Sequence, residues 1–404
     1  MKIAYITNFF PNLSQTFILD QITGMIDLGH DIQIYSNYSY SKYANVLHEE
    51  IHKYDLLSRV HYFNIPDNPF ARMMSFIKVF VKYFYKKPAL FLKTLNILDY
   101  GKFAYSLKLP HVIVHFWEEQ FDIIHCHFGP PGNLGACLKQ LGIKGKLITT
   151  FRGYDVDEGI EKGGHQYQKL FRQADLIIAI SRYNRENVIT FGALPEKVLY
   201  HPTGINLDKF KYIDRNFSNK PEKFIILTVA RFVEKKALHV AIDAIQKFSH
   251  KYPDQNFEYR IIGYGPLEQS LKRQVQSANL EKIVRFLGAL KENEVIQQMR
   301  ESHVFMLSSI REGLGKSILE AQAIGLPVLG TDAGGIPEAL QPKISGYIVP
   351  RNNSSALAQK LEDIYCNYPK WSDRGRARRK FIEDNYDLKQ LNQKLETIYF
   401  DLFK

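Results

Sequence analysis

The chain has 404 residues, 45% hydrophobic and 24% charged, more than one core of ordinary size accommodates, so two domains are predicted. No tract is of low complexity, and no apolar run reaches the roughly 20 residues that a membrane span needs, which sets aside disordered and spanning classes. The formal charge of +11 invites a nucleic-acid reading, but no recognised module or base-stacking set of aromatics accompanies it, so no nucleic-acid partner is expected.

Met1-Lys2 leads at once into a β-type run, so no secretory leader is expected and the chain reads as cytoplasmic, or peripheral on the inner face of the plasma membrane. Predicted strands at 2–7, 31–35, 122–125, 146–150 and 175–180 alternate with helical stretches, notably 14–28 and 133–141. That alternation is how a parallel sheet covered by helices is written. Residues 38–117 are less regular and predict added helices. Within them, residues 70–111 carry Arg72, Lys78, Lys82, Lys86, Lys87, Lys93, Lys102 and Lys108 against a single acid, Asp99. These charges interleave with Phe76, Val79, Phe80, Tyr83, Phe84, Leu90, Phe91 and Leu95. Basic amphipathic helices of this kind suit an anionic membrane surface. The alternative is a solvated face whose aromatics pack inward.

A polar, turn-rich passage at 208–223 precedes a second series of strands at 224–229, 259–262, 283–286, 304–307 and 327–330. Two such series predict an α/β protein of two Rossmann-like domains, 1–205 and 206–385, with a final helix at 386–404 that could serve either. Ligands of such sheets bind beyond the carboxyl ends of the strands, so facing sheets would place the site in a cleft. Cys126, Cys137 and Cys366 have no metal-ligand spacing and read as small hydrophobes rather than a disulfide framework.

The strongest chemical signal runs from Ser308 to Glu338. A strand ends, the turn Gly313-Leu314-Gly315 follows, and a helix begins near Lys316-Ser317. The free N–H groups and positive end of that helix make a phosphate seat, and glycines let a phosphate approach the main chain. Glu312 before the turn and Glu320 within the helix suit sugar or ribose hydroxyls, which carboxylates accept well. Each also has a plain reading, Glu312 as a favourable charge near a helix start and Glu320 as a surface residue. Gly315-Lys316-Ser317 is the tail of a Walker A loop, but Ile310 stands where that motif needs glycine, so no P-loop is present. Arg231 and Lys236 follow the first strand of the second series, where a forked cation and a point charge can both reach a diphosphate. Together they would stabilise a departing nucleoside diphosphate without a metal.

These features, with Phe10-Pro11, Leu13 to Phe17, His125-Cys126-His127-Phe128-Gly129, Gly204-Ile205 and Gly263-Tyr264-Gly265, resemble the GT-B glycosyltransferases of retaining family 4, also called group 1. The early Ser-Gln-Thr-Phe and His-x-His-Phe-Gly text looks most like the branch building exopolysaccharide, capsule or lipopolysaccharide. The resemblance implies a nucleotide-sugar donor, a glycan or lipid-linked oligosaccharide acceptor, and no cofactor or metal. It places Arg231 and Lys236 on the donor diphosphate, Glu320 on the ribose, Glu312 on the transferred sugar, Gly263 in the donor pocket, and His127 facing the donor sugar from the first domain. Ser14 reads as an acceptor contact or, more simply, a helix N-cap. Epimerases, phosphorylases and non-catalytic glycan binders on this fold stay open as alternatives. An epimerase would convert donor alone, and a phosphorylase would need free phosphate.

Several features depart from the family pattern or compete with it. Asn8-Phe9-Phe10-Pro11-Asn12 replaces the family's usual glycines after the first strand, and Gln15 stands where related sequences often have glutamate. Arg152 stands where many relatives carry histidine, adding a charge that cannot act as a base. Asp155-Val156-Asp157 has the Asp-x-Asp form that a different glycosyltransferase fold uses to hold a metal, but the doubled αβ layout fits that single-sheet fold poorly. Asp155 alone remains a candidate cleft residue.

Overall fold

The computed structural model describes residues 1–12, 15–38, 48–215 and 221–404. Its apolar, β-branched runs form parallel strands buried on both faces, as strands under two layers of helix must be. The chain divides into two units. One comprises residues 1–180, 185–201 and 392–404, and the other residues 181–184 and 202–391.

The first unit holds β1 (Lys2–Phe9), β2 (Asp31–Tyr38), β3 (Val60–Tyr62), β4 (Ile123–His127), β5 (Lys146–Phe151), β6 (Leu176–Ala179) and β7 (Val198–Tyr200). They form one parallel sheet ordered β3-β2-β1-β4-β5-β6-β7. The chain winds outward from β1 to β3, then returns to β4 and winds the other way. The crevice beyond the carboxyl ends of β1 and β4 is therefore a topological switch point, where open α/β sheets bind ligands. The helix Gly129–Gln140 begins directly after β4, four residues before the predicted start. Pro130 and Pro131 occupy its first turn, where no intrahelical N–H bond is required. Gly132 and Gly135 let it lie close on β5, since added Cβ atoms would stand 2.7 Å from Thr149 and from Leu147.

The second unit holds β8 (Phe224–Val229), β9 (Phe257–Ile262), β10 (Val284–Gly288), β11 (Val304–Leu307), β12 (Val328–Thr331) and β13 (Gly346–Val349). Its parallel order is β10-β9-β8-β11-β12-β13, with a switch point between β8 and β11. Leu238, Ile242 and Ile245 of the helix Leu238–Lys251 pack with Ile226, Tyr259 and Met306 to form its core. The sequence left the terminal helix unassigned. Leu395 and Tyr399, at 1% and 0% exposure, sit in the core of the first unit with Ile3, Tyr5, Ile18 and Ile22.

In the irregular segment, Phe76, Phe80, Phe84 and Phe91 pack on one another. The aromatics named in the sequence thus largely turn inward, while a different face of the helix Pro69–Tyr83 stays outside. Among the described residues, no helix is long and apolar enough to cross a membrane.

Candidate active site

In the second unit the predicted cations and carboxylates meet at the switch point. Arg231 leaves the end of β8, exposed and without an ion pair among the described residues. Lys236 ends a short 3-10 turn, Glu234–Lys236, that leads into the helix Leu238–Lys251. Its ammonium pairs with Oε2 of Glu312, which follows the neighbouring strand β11. Only 13% and 15% of these two side chains is exposed. Burial pulls the Glu312 carboxyl upward, but the charge and hydrogen bond of Lys236, with Lys235 and the Ser309 hydroxyl, together outweigh it and hold the group below the ordinary carboxylate range. The Ser309 hydroxyl adds a 3.3 Å bond to the same oxygen.

The turn after Glu312 has Leu314 buried beneath it and Gly315 at φ +89°, a left-handed conformation suited to glycine. The helix Lys316–Ile324 follows, and no side chain caps it. Its first N–H groups lack intrahelical partners and its dipole is positive there, so an anion is the fitting occupant. Lys316 and Glu320 lie one turn apart with Nζ 3.5 Å from Oε1, both partly buried, and Ser317 is half-buried between them.

One glycine pair holds this loop from behind. Gly335 donates to the Glu312 carbonyl at 3.0 Å, and a Cβ at Gly334 or Gly335 would come within 2.0 or 2.1 Å of the Glu312 or Gly313 oxygen. A Cβ at Gly263 would lie 1.9 Å from the Ala230 oxygen, so this residue supports the turn that carries Arg231. Glu338 accepts from the N–H groups of Arg182 and Tyr183 at 2.7 and 2.8 Å, which makes it a brace within its own unit.

In the first unit His127 ends β4, fully buried, its ring stacked on Tyr5 at 5.4 Å and on His125 at 4.9 Å. Neither of its ring nitrogens has a hydrogen-bond partner among the described residues. Burial first, then the nearby charges of Arg152 and His125, keeps it well below the usual histidine range, so the ring is neutral. A neutral imidazole then offers one unused donor and one unused acceptor.

His125 is fixed by its neighbours. Arg152 Nη2 donates to Gln21 Oε1 at 3.1 Å, which orients the amide so that its nitrogen faces His125 Nδ1 at 3.3 Å. That nitrogen only donates, so Nδ1 accepts, and Nε2–H is left to donate to the Thr150 hydroxyl at 2.7 Å. The Tyr399 hydroxyl, 2.5 Å from Nδ1, completes the network. Arg152 lies 4.3 Å from the Phe17 ring centroid, and burial lowers its pKa to about 10, still charged at neutral pH. Tyr5, Gln21 and Tyr399 were not among the predicted site residues.

Asp155, a candidate cleft residue in the sequence, is committed to the backbone instead. It is wholly buried, and its carboxylate accepts from the N–H groups of Gly129, Arg152, Gly153 and Val156 at 2.8–3.3 Å. Burial raises its pKa and these bonds oppose the rise. The residue ties the β4 and β5 loops together instead of meeting solvent. Ser14 lies outside the described residues.

The family model described as "Glycosyl transferases group 1" matches residues 210–386, and "Glycosyltransferase Family 4" matches residues 92–209. The amylovoran biosynthesis glycosyltransferase AmsK of Erwinia amylovora is 33% identical over 375 residues, 89% of this chain and 90% of its own. The chain belongs to the family 4 glycosyltransferases. A putative colanic acid biosynthesis glycosyltransferase of Escherichia coli, WcaL, is 32% identical to this glycosyltransferase over 89% of the chain and 90% of its own length. Among solved structures, the sucrose-phosphate synthase of Thermosynechococcus elongatus covers 100% of this chain and 99% of its own at a TM-score of 0.78 and 18% identity. HepE of Anabaena, solved with UDP and glucose, covers 99% of this chain and 100% of its own at 0.74 and 16%. The glycosyltransferase therefore has the GT-B fold, with parallel sheets of seven and six strands.

Proposed function

We propose that this glycosyltransferase moves a sugar from a nucleoside-diphosphate donor to a glycan or lipid-linked glycan acceptor in cell-surface polysaccharide synthesis. The observation that carries the reading is the Lys236–Glu312 pair beside an uncapped helix start at the switch point of the second sheet. A diphosphate on that helix start would meet Arg231, which has no ion pair among the described residues, and would compete with Glu312 for Lys236. Glu312, once released, accepts a hydroxyl of the sugar, and Glu320 accepts from the ribose. The relatives in amylovoran and colanic acid biosynthesis support the polysaccharide assignment, and the UDP complex of HepE supports the donor class.

The transfer proposed retains configuration at C1. The C1–O bond to the diphosphate breaks, the acceptor oxygen bonds C1 from the same face, and the acceptor proton passes to the departing phosphate oxygen. Cationic side chains and helix N–H groups stabilise the leaving charge, so no metal is required. His127 is assigned to the transferred sugar, because its unpaired nitrogens match a hydroxyl that both donates and accepts. Arg152 sits near this ring as a fixed charge and takes no proton.

The membrane partner rests on the helix Pro69–Tyr83. Phe70, Met73, Met74, Ile77 and Val81, with Tyr85 just beyond, lie within about 120° of one another at 100° per residue, and all six are exposed. Lys78 and Lys82 flank this stripe, also exposed. An apolar stripe edged by cations matches the acyl boundary and headgroups of an anionic bilayer, which would hold the enzyme at the inner face of the plasma membrane beside a lipid-linked acceptor.

Thermal unfolding with UDP, GDP and ADP, each with EDTA and with magnesium, tests the donor assignment. A ligand at about 100 times its Kd adds about 2.7 kcal/mol. One nucleotide should raise Tm in EDTA as well as in magnesium. A shift only with magnesium would overturn the metal-free reading, and no shift with any nucleotide would overturn the donor site.

A further inference from the structure

The first unit holds a cavity of about 270 Å³ where β1 and β2 end and the helix Gly129–Gln140 begins. Its lining is divided. Phe63, Ile65 and Phe103 belong to an apolar wall, and Lys102 and Lys108 also line the cavity, close enough for their charges to repel. Among the described residues, neither lysine has an ion pair and no carboxylate lines the cavity. A third cation adds to the field. Arg72 is near enough to disfavour the charge on Lys108, and its own guanidinium is occupied by the carbonyls of Pro66, Asp67 and Ser106. Burial and these two cationic neighbours, against the weaker pull of Asp67, lower the Lys108 pKa.

Unspent hydrogen-bonding groups are found at the same place. Thr7, 1% exposed, and Ser106 both line the cavity, and neither hydroxyl has a partner among the described residues. A buried hydroxyl without a partner and like charges brought together are both unfavourable, so the lining favours an occupant that is anionic and forms hydrogen bonds. An anion between the lysines relieves the repulsion, and hydroxyl or oxyacid groups on the same molecule satisfy Thr7 and Ser106. The cavity also lies just below the roughly 300–1,000 Å³ of common small-molecule sites, which suits one sugar unit more than a polymer segment.

We propose that this cavity binds the acceptor through an anionic group, phosphate or carboxylate, borne on or next to the sugar that receives the new linkage. The inference rests on the glycosyl-transfer reading and narrows its acceptor to an acidic one. Lys102 and Lys108 hold the anion, Thr7 and Ser106 take its hydroxyls or oxygens, and the Phe63 wall covers one face of the ring.

The test uses the full chain and amine-reactive labelling of Lys102 and Lys108, read by peptide mass spectrometry at fixed ionic strength. The probes are galactose 1-phosphate, glucuronate and neutral galactose, each at millimolar concentration, with UDP binding measured in parallel. At least one anionic sugar should slow labelling of both lysines several-fold while galactose does not. Protection by the sugar phosphate points to a phosphate-linked acceptor, and protection by glucuronate points to an acidic sugar. The K102Q/K108Q variant should weaken binding of the protecting sugar tenfold or more and leave UDP affinity within twofold, which also reports its folding. Protection by no anion, or equal protection by galactose, in a protein that still binds UDP would overturn the acidic acceptor alone. Failure of the unaltered protein to bind any of UDP, GDP and ADP would instead overturn the donor site.

Discussion

Replacing Lys236 with methionine separates what the Lys236–Glu312 pair does for stability from what it does for donor binding. Removing one partner of a buried ion pair costs about 3–5 kcal/mol when the other charge is stranded. Here each side chain keeps some solvent contact and Ser309 remains bonded to Glu312, so about 1–3 kcal/mol is expected. Loss of a charge-assisted bond to the diphosphate, about 1.5–3 kcal/mol, should weaken UDP binding roughly 10- to 150-fold. The variant K236M/E312Q distinguishes the two effects. Neutralising the stranded carboxylate should restore most of the stability and none of the UDP affinity.

The pH dependence provides a second check on the same pair. With Lys236 present, the Glu312 pKa is lowered, so its contribution is complete above about pH 4.5 and is lost as pH falls through the folded value. Without Lys236, burial dominates and raises that pKa, so the K236M deficit should be smaller at pH 5 than at pH 7. Thermal unfolding at both pH values and calorimetric UDP titration read these outcomes. A double variant as unstable as K236M, or unchanged UDP affinity in K236M, would refute the reasoning.

Four further outcomes follow from the same geometry. His127→Phe keeps the stack on Tyr5 and removes both ring nitrogens, so kcat should fall at least tenfold with UDP affinity unchanged, and an undiminished kcat would remove His127 from the reaction. Asp155→Asn puts an amide where four N–H groups converge and should cost about 1–3 kcal/mol in thermal unfolding without weakening UDP binding, whereas a stable variant would restore Asp155 as a cleft candidate. Histidines 115, 201 and 303 are pushed to about 4 by burial and nearby positive charge, so the unfolded chain binds more protons below about pH 6.5. Stability should therefore decline from about pH 6.5 towards 4, by up to about 1.4 kcal/mol per pH unit per histidine, and a flat Tm over that range would contradict their burial as neutral rings. The I77E/V81E variant alters two exposed positions, so flotation with anionic liposomes at low salt should drop severalfold at unchanged Tm, and equal flotation would detach the stripe from the membrane.

What was legible in the sequence followed from how strongly local chemistry dictates structure. Strands β8 and β11 have the predicted bounds, 224–229 and 304–307, because runs such as Phe-Ile-Ile-Leu-Thr-Val between polar turns leave little choice. The helix at Lys316 was legible from the glycines before it, since Gly315 needs positive φ at the helix entry. Strands β3 and β7, three residues each, and β13, four residues, were not, because an edge strand that short has no period to read. The helix after β4 begins four residues before its predicted start, with both prolines in its first turn, where they are tolerated.

The candidate site divides along the same line. Glu312, Lys236 and the glycine turn are close to their strand ends in sequence, so topology alone brings them together once β8 and β11 are neighbours. The His125 network could not be read in this way. Gln21 is on a helix, Thr150 is on β5 and Tyr399 is 274 residues from His125, and each looks locally like a core-facing residue. Asp155 could not be placed for the converse reason: an Asp-x-Asp triplet carries no information about whether its oxygens face a ligand or the backbone. Four N–H groups on one buried carboxylate decide that question, and they come from two different loops. Sequence thus locates chemistry where one loop supplies it. Where the groups converge from several elements, as at His127 and in the Lys102–Lys108 cavity, the evidence is a partner missing from a buried polar atom, and only the packed structure displays it.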